Sequence, residues 1–457
     1  MKLQECLKKN IKYIFLFVLF FLCLQFFYAR FAGDQIYNYG FSYALSRGEV
    51  PYNDFNMIIP PLGAFVYMIP FLIFGPSLIV FNLFQALLLT LMFYLLFKMY
   101  DKKAWLMLVV LLLPLPTPFV TSIFQGYNFL LILEFILLLY LIKNKKSDIL
   151  IGILFGLMVF TKQTTGVLMF IPSILYLFKD RKVFIKRCLG FLIPCFITLI
   201  YLLVTGSLVN FFDMCLFGML DFTSKNGGLL KIFGDFYFYL FILEIIVLVY
   251  LIIKNRKDIN YTKYLIYTLI FASVAVPLFD YNHVSYFSFV LVLILLEKIN
   301  KLPKRLGVSA CLFTSSISII WFLFINNFNI PNMVQFNNYK LGLLSKKNEN
   351  EIKEISKYMR KNKNTIILSE YSYLVKIVLD YDIDHYDLLN YGNHGYNGTD
   401  KLIKKLDSEK DKYILVNREA YLRVSKRQQF NKEVVKYVMD NYEKVDTLGV
   451  FDIYYKE

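Results

Sequence analysis

Residues 98–146 read KMYDKKAWLMLVVLLLPLPTPFVTSIFQGYNFLLILEFILLLYLIKNKK. A basic cluster (Lys98, Lys102, Lys103) precedes an apolar run, an uncharged connection, a second apolar run and another basic cluster (Lys143, Lys145, Lys146). Two runs that share a neutral connection and carry lysines at their outer ends describe a helical hairpin in a bilayer, because positive charge fixes the cytoplasmic ends of membrane spans. Working outward, apolar runs lie near 11–29, 78–97, 104–120, 128–142, 148–161, 164–178, 188–205, 237–253, 264–279, 283–296 and 306–326. Further basic clusters fall at Lys179, Arg181, Lys182, Lys186 and Arg187, at Lys254, Arg256 and Lys257, and at Lys298, Lys301, Lys304 and Arg305. Eleven helices place every cluster on the cytoplasmic side, with the N-terminus inside and the C-terminus outside.

Composition agrees with this plan. The 457 residues are 57% hydrophobic and 18% charged, with a mean hydropathy of +0.51, too apolar for a water-soluble domain and incompatible with disorder or a collagen-like repeat. The formal net charge of +16 sits between apolar runs, where it sets orientation, so no nucleic-acid partner is expected. Cys6, Cys23, Cys188, Cys195, Cys215 and Cys311 show neither a disulfide framework nor zinc spacing. Forty lysines against ten arginines suggest an AT-rich, bacterial source and a multi-pass protein of the cell membrane.

Residues 56–75 form one more uncharged stretch, interrupted by Pro60 and Pro61. Counting it as a span would put all later basic clusters outside, so it is expected to be an interfacial or re-entrant segment. The first external loop then runs from about 30 to 77. After Phe328 the chain turns charged and Asn-rich. Short β-prone runs at Thr365–Leu368, Tyr413–Val416 and Val450–Tyr455 alternate with helix-patterned stretches near 350–361 and 431–441. The expected fold is a polytopic α-helical bundle over 1–327 followed by a small extracytoplasmic α/β domain over 328–457.

Several residues could carry chemistry. Asp34 closely follows the first helix, at the membrane surface, where partial desolvation would make a carboxylate a better proton acceptor; it could equally cap the next helix. Asp54 could face the same cavity or belong to a Pro-Tyr turn. Lys162, in a very short external connection, could meet an anion or snorkel to the interface. Arg30, at the outer end of helix one, has the same two readings. Asp280 and His283 share another short external turn, where the histidine could orient a phosphate or acceptor, or simply be hydrogen-bonded. Tyr37, Tyr39, Phe41, Tyr43, Tyr52 and Phe55 could stack on sugar rings or anchor the protein at the interface. Glu134 and Glu244 fall inside predicted spans, where protonated carboxyls can bond neighbouring helices and ionisable ones can line a transport path.

An acidic residue after helix one, then Gly48-x-x-Pro51-Tyr52-x-Asp54-Phe55, Pro60-Pro61, an aromatic-rich segment and Phe74-Gly75 resemble the polytopic GT-C glycosyltransferases, among them the protein O-mannosyltransferases and the lipid A aminoarabinose transferases. Gly152-Ile-Leu-Phe-Gly-Leu-Met-Val-Phe-Thr-Lys162-Gln-Thr-Thr-Gly166 is similar to that family's Gly-rich helix ending in Thr-Lys. The resemblance covers most of the membrane region and only the general plan of the last 130 residues. It implies transfer of a sugar, with inversion, from a polyprenyl-phosphate carrier to a glycan, lipid or protein acceptor of the cell envelope outside the membrane. It assigns Asp34, with Asp54 in support, to the acceptor hydroxyl, Lys162, Arg30 and His283 to the carrier phosphate, and Tyr37, Tyr52 and Asp280 to substrate contacts. Gln35 stands where the family commonly has a second acidic residue; a divalent cation (Mg or Mn) on Asp34 and Asp54 stays open. Two other functions fit the plan: a transporter or flippase of lipid-linked sugars, and a catalytically silent binding subunit.

Overall fold

The computed structural model describes residues 2–27, 34–112, 126–225, 236–276, 279, 281–298, 333–336, 339–343, 346–368, 372–382, 386, 389–409, 411–418 and 431–457. The chain forms two compact units, each assembled from separated segments: the first from Met1–Ala29, Phe81–Ile197 and Lys231–Ile330, the second from Arg30–Val80, Thr198–Leu230 and Pro331–Glu457.

The helices of the first unit are α1 (Lys2–Phe27), α4 (Leu78–Tyr100), α5 (Ala104–Leu112), α6 (Gly126–Lys143), α7 (Asp148–Thr161), α8 (Gln163–Lys179), α9 (Arg181–Val204), α11 (Phe236–Lys254), α12 (Ile259–Phe271) and α13 (Tyr281–Leu295). Ten of the eleven expected runs therefore carry a helix, and the eleventh, 306–326, lies outside the described residues. Among the described helices α4, α6, α9 and α11 are each long and apolar enough to cross a membrane. Buried aromatic pairs join them: Phe20 to Phe93 (5.4 Å between centroids), Phe135 to Phe271 (4.6 Å) and Phe241 to Phe287 (5.5 Å). In lipid, packing of this kind takes over from the hydrophobic effect as the force that holds helices together.

One close helix contact follows from three glycines. A Cβ at Gly152 or Gly156 of α7 would lie 2.2 Å from the carbonyl oxygen of Arg187 or 2.7 Å from that of Phe191, and one at Gly190 of α9 would lie 2.2 Å from that of Ile149. Two glycines four residues apart present one smooth helix face, so the backbones of α7 and α9 touch. Arg187 at this seam is buried; its Nε donates to Asp148 Oδ1 at 3.0 Å and its guanidinium covers the Tyr176 ring at 4.3 Å.

Residues of three basic clusters bond to other connections of this unit. Lys103 Nζ donates to the carbonyls of Leu296 and Glu297 (3.0 and 3.3 Å), and Lys143 Nζ to the Glu297 carboxylate and the Met99 carbonyl (each 3.1 Å). These bonds tie the connections before α5 and α7 to the end of α13, and Arg187 on Asp148 ties the start of α9 to the start of α7. Lys103 and Lys143 bond carbonyls that the terminal turns of neighbouring helices leave open.

The second unit contains α2 (Asp34–Ser46), α3 (Leu62–Phe74) and a helix, α10, built from Leu208–Phe212, a π-helical turn Asp213–Phe217 and Gly218–Lys225. Its C-terminal part has a hairpin, β1 (Met333–Phe336) with β2 (Tyr339–Leu343), then α14 (Lys346–Lys361), β3 (Thr365–Leu368), α15 (Ser372–Leu379), α16 (Gly398–Ser408), β4 (Lys412–Asn417), α17 (Lys432–Asn441), β5 (Glu443–Leu448) and β6 (Phe451–Lys456). The sheet order is β3-β4-β6-β5; β3 and β4 are parallel, and the other neighbours antiparallel. Ile366, Leu368, Ile414 and Val416 from the strands pack with Val434, Val435 and Val438 of α17.

Segment 56–75, expected to be interfacial or re-entrant, folds as α3. At 13 residues it is about 20 Å long, short of the roughly 30 Å hydrocarbon core. One face (Gly63, Ala64, Tyr67, Phe71) is buried, with Phe71 edge-on to Tyr39 of α2, while Ile69, Leu72, Ile73 and Phe74 are exposed. The C-terminal sheet shares its compact unit with residues 30–80 and 198–230. The glycine seam makes a direct prediction: Gly152→Leu should lower stability by about 1–3 kcal/mol, as over-packing does, read as an earlier thermal-unfolding midpoint in detergent. An unchanged midpoint would mean that the two backbones do not touch.

Candidate functional site

In the first unit the site begins where α7 ends. Lys162 alone separates α7 from α8, in an extended conformation (φ −150°, ψ 105°). Its N–H donates to Met158 O and its carbonyl accepts from Gly166 N–H, both at 2.9 Å, so the chain reverses without losing a backbone hydrogen bond. Gly166 makes the reversal tight, since a Cβ there would lie 2.2 Å from Val159 N. The flanking side chains anchor the junction on two neighbours. Thr161 Oγ1 donates to Glu134 Oε1 of α6 at 2.9 Å, and Ser273 Oγ donates to Thr165 Oγ1 at 3.1 Å. The Lys162 ammonium donates to Val274 O at 2.8 Å, in the 3-10 turn Ala272–Ala275 after α12. The carbonyl fixes the position of the ammonium at the junction, and a positioned cation can serve an anion by charge-assisted hydrogen bonding.

His283, two residues into α13, is buried with its ring edge-on to Tyr286 at 6.1 Å. Glu134 is buried with one oxygen accepting from Thr161 and the other without a hydrogen-bond partner among the described residues; Glu244 of α11 likewise has one buried oxygen without a partner among them. Glu134 thus joins α6 to α7. Asp280 and Arg30 lie outside the described residues.

In the second unit the site is carried by α2, which opens at Asp34; the side chains of Asp34 and Gln35 lie outside the described residues. Of the six loop aromatics, Tyr39, Phe41, Tyr43, Tyr52 and Phe55 are buried, and Tyr37 is partly exposed. Phe41 stacks on Phe55 at 5.8 Å. Tyr52, expected at a sugar, adopts φ +71°, donates its hydroxyl to Ile59 O at 2.9 Å and packs edge-on to Phe211 at 5.3 Å. Burial holds its phenol well above the ordinary range, and burial pushes the neighbouring Cys215 thiol up to about 12. Neither is a base or nucleophile at neutral pH; together they form the interior of the turn. Asp54 is exposed and accepts from Val50 N–H at 2.6 Å, which makes it the carboxylate that closes the Pro51–Phe55 turn.

The sequence reading passed over two charged residues next to this turn. Arg47, one residue beyond α2, bonds Asp380 and, at 3.4 Å, Asp382, while Tyr43 Oη donates to the same Asp380 oxygen at 2.8 Å. Glu49, nearly buried, lies 3.8 Å from Arg47 Nε. The end of α2 opposite Asp34 is therefore clamped to the segment after α15, more than 330 residues away in sequence. Only the fold could reveal that partner. Among the described residues no three His, Cys, Asp or Glu side chains gather as metal ligands.

Comparisons with known proteins give the arrangement a family. The solved structures that resemble it include crystal structures of ArnT from Cupriavidus metallidurans, one bound to undecaprenyl phosphate (TM-score 0.55, 11% identity) and one in the apo state (TM-score 0.52, 10% identity). In both cases the alignment covers 98% of each chain, so the chain shares the ArnT fold from the bundle through the C-terminal sheet. No curated protein matches. The model of glycosyltransferase family 87 matches residues 58–296, a stretch that starts just after the Tyr52 turn and includes the Lys162 junction and His283. Because this match spans more than half of the sequence, the chain belongs to glycosyltransferase family 87.

Proposed function

We propose that this glycosyltransferase takes a sugar from a polyprenyl-phosphate carrier and places it on a cell-envelope acceptor at the external face of the cell membrane. The observation that carries the reading is the Lys162 junction: a one-residue reversal between two apolar helices that holds an ammonium in a defined place on Val274 O, inside the stretch that the family 87 model matches. The undecaprenyl phosphate bound by the ArnT structure supports the same class of lipid here.

In this mechanism Asp34 accepts the proton of the acceptor hydroxyl. The freed oxygen attacks the anomeric carbon as the bond from that carbon to the phosphate oxygen breaks, inverting the centre. Negative charge collects on the departing phosphate, and Lys162 stabilises it, assisted by Arg30 and His283; such preset charge lowers a barrier because it needs no reorganisation. Asp54 supports the turn and contributes its exposed carboxylate to acceptor binding. Tyr37 and Asp280 contact the sugar. A transport path would need ionisable groups strung along discontinuous helices, whereas Glu134 ties α6 to α7 through Thr161.

Three outcomes follow. Asp34→Asn should cut sugar transfer by about 100-fold or more while the protein remains monodisperse; near-normal turnover would remove Asp34 from the reaction. Lys162→Ala should raise KM for the lipid donor, and Lys162→Arg should restore most of it; equal KM in all three proteins would assign the lysine to membrane anchoring. Arg47→Ala should loosen α2 by about 1 kcal/mol, the scale of a partly exposed ion pair, and lower kcat without changing donor KM. Loss of both equally would mean general unfolding of the loop. Mass spectrometry of envelope glycans with and without the protein would name the sugar.

A further inference from the structure

Helix α10 lies outside the predicted spans, yet it is apolar on two opposite faces. Its inner face holds Met214, Cys215 and Gly218: Cys215 meets the Tyr52 hydroxyl at 3.7 Å, and a Cβ on Gly218 would lie 2.1 Å from Gly392 O. Asp213 is tied off by Lys401 Nζ (2.6 Å) and Tyr396 N–H (3.1 Å). Its outer face presents Val209, Phe212, Leu216, Phe217 and Leu220, between 44% and 77% exposed. The spacing of these five follows one helix stripe, and no charged side chain interrupts it. A water-facing helix has no use for five large apolar side chains in a row.

The position of α10 in the chain indicates what covers this stripe. Only Thr205, Gly206 and Ser207 separate α10 from α9, a helix long and apolar enough to span the membrane, whose last residues Leu203 and Val204 are themselves exposed. Asn53 fixes that corner: its Nδ2 donates to Thr205 O and its Oδ1 accepts from Asn210 Nδ2, both at 2.9 Å. We infer that α10 lies in the plane of the membrane interface, with Val209, Phe212, Leu216, Phe217 and Leu220 sunk into the acyl chains of the leaflet in which α9 ends. Its inner face then holds the Tyr52 turn and the Gly392–Gly395 loop at the lipid surface. The inference concerns membrane seating and does not depend on the sugar-transfer reading.

Tryptophan fluorescence tests it on the full chain. With Trp105 and Trp321 replaced by Phe, single variants Phe217→Trp, Leu220→Trp and, as an aqueous control on exposed α16, Lys404→Trp are reconstituted into phosphatidylcholine liposomes at low protein density. Fluorescence from positions 217 and 220 should be blue-shifted and strongly quenched by lipids brominated high on the acyl chain. Quenching should be weaker with bromine near the terminal methyl, because interfacial helices sink about 5–10 Å; position 404 should be unaffected. Quenching at 217 and 220 no greater than at 404 would overturn the inference. So would a blue shift that develops only as protein density rises, because a second copy would then be the cover. Two positions are read so that failure of one variant to fold leaves the other decisive.

Discussion

Within hydrocarbon every backbone N–H and C=O needs a partner inside the protein, and the Lys162 junction meets that demand at a point where the chain reverses direction. The lysine N–H closes α7 and its carbonyl opens α8, so one residue connects two helices at no cost in hydrogen bonds. Much of the first unit is arranged around this reversal. Gly166 lets α8 fold back on α7, and Gly152, Gly156 and Gly190 let α9 pack on α7's glycine face. Thr161, Lys162 and Thr165 then bond to α6 and to the turn after α12. Rigid backbone on all sides fixes an ammonium to a defined place, which is how a protein stabilises charge that develops only as a reaction proceeds.

The second unit uses different physics. Its loop aromatics are mostly buried against one another and against Phe71 and Phe211, so the loop carries a small core of its own and α2 is a firm element. The polar contacts at its far end, Arg47 and Tyr43 on Asp380, are partly exposed and individually weak. They add direction to a position that apolar packing has already made stable. Flat helix surfaces complete the unit: α3 and α10 each bury one apolar face and leave another outward.

The bundle was legible in the sequence because apolar runs and lysine clusters report directly on the bilayer. Strands β3, β4 and β6 were legible because Thr365–Leu368, Tyr413–Val416 and Val450–Tyr455 are compact apolar runs. Strand β5 was not: Glu443, Lys444 and Asp446 give it the charged character of a protected, exposed edge. Lys162 could be singled out because its position in an apolar stretch is unusual, and Asp54's turn was one of two readings that the Pro-Tyr pair offered. Tyr52 looked like a binding residue because a tyrosine in a loop carries no mark of whether it faces in or out. Arg47's partner Asp380 and the inner face of α10 depend on contacts between distant parts of the chain, which no local pattern records.

The account rests on Lys162 being the group that receives the carrier's phosphate. A cryo-EM structure of the protein with undecaprenyl phosphate tests this most directly. The account predicts phosphate density within about 3 Å of Lys162 Nζ, the distance of a charge-assisted hydrogen bond, with the ammonium turned from Val274 O toward it. A phosphate bound elsewhere, with Lys162 still on Val274 O, would contradict it.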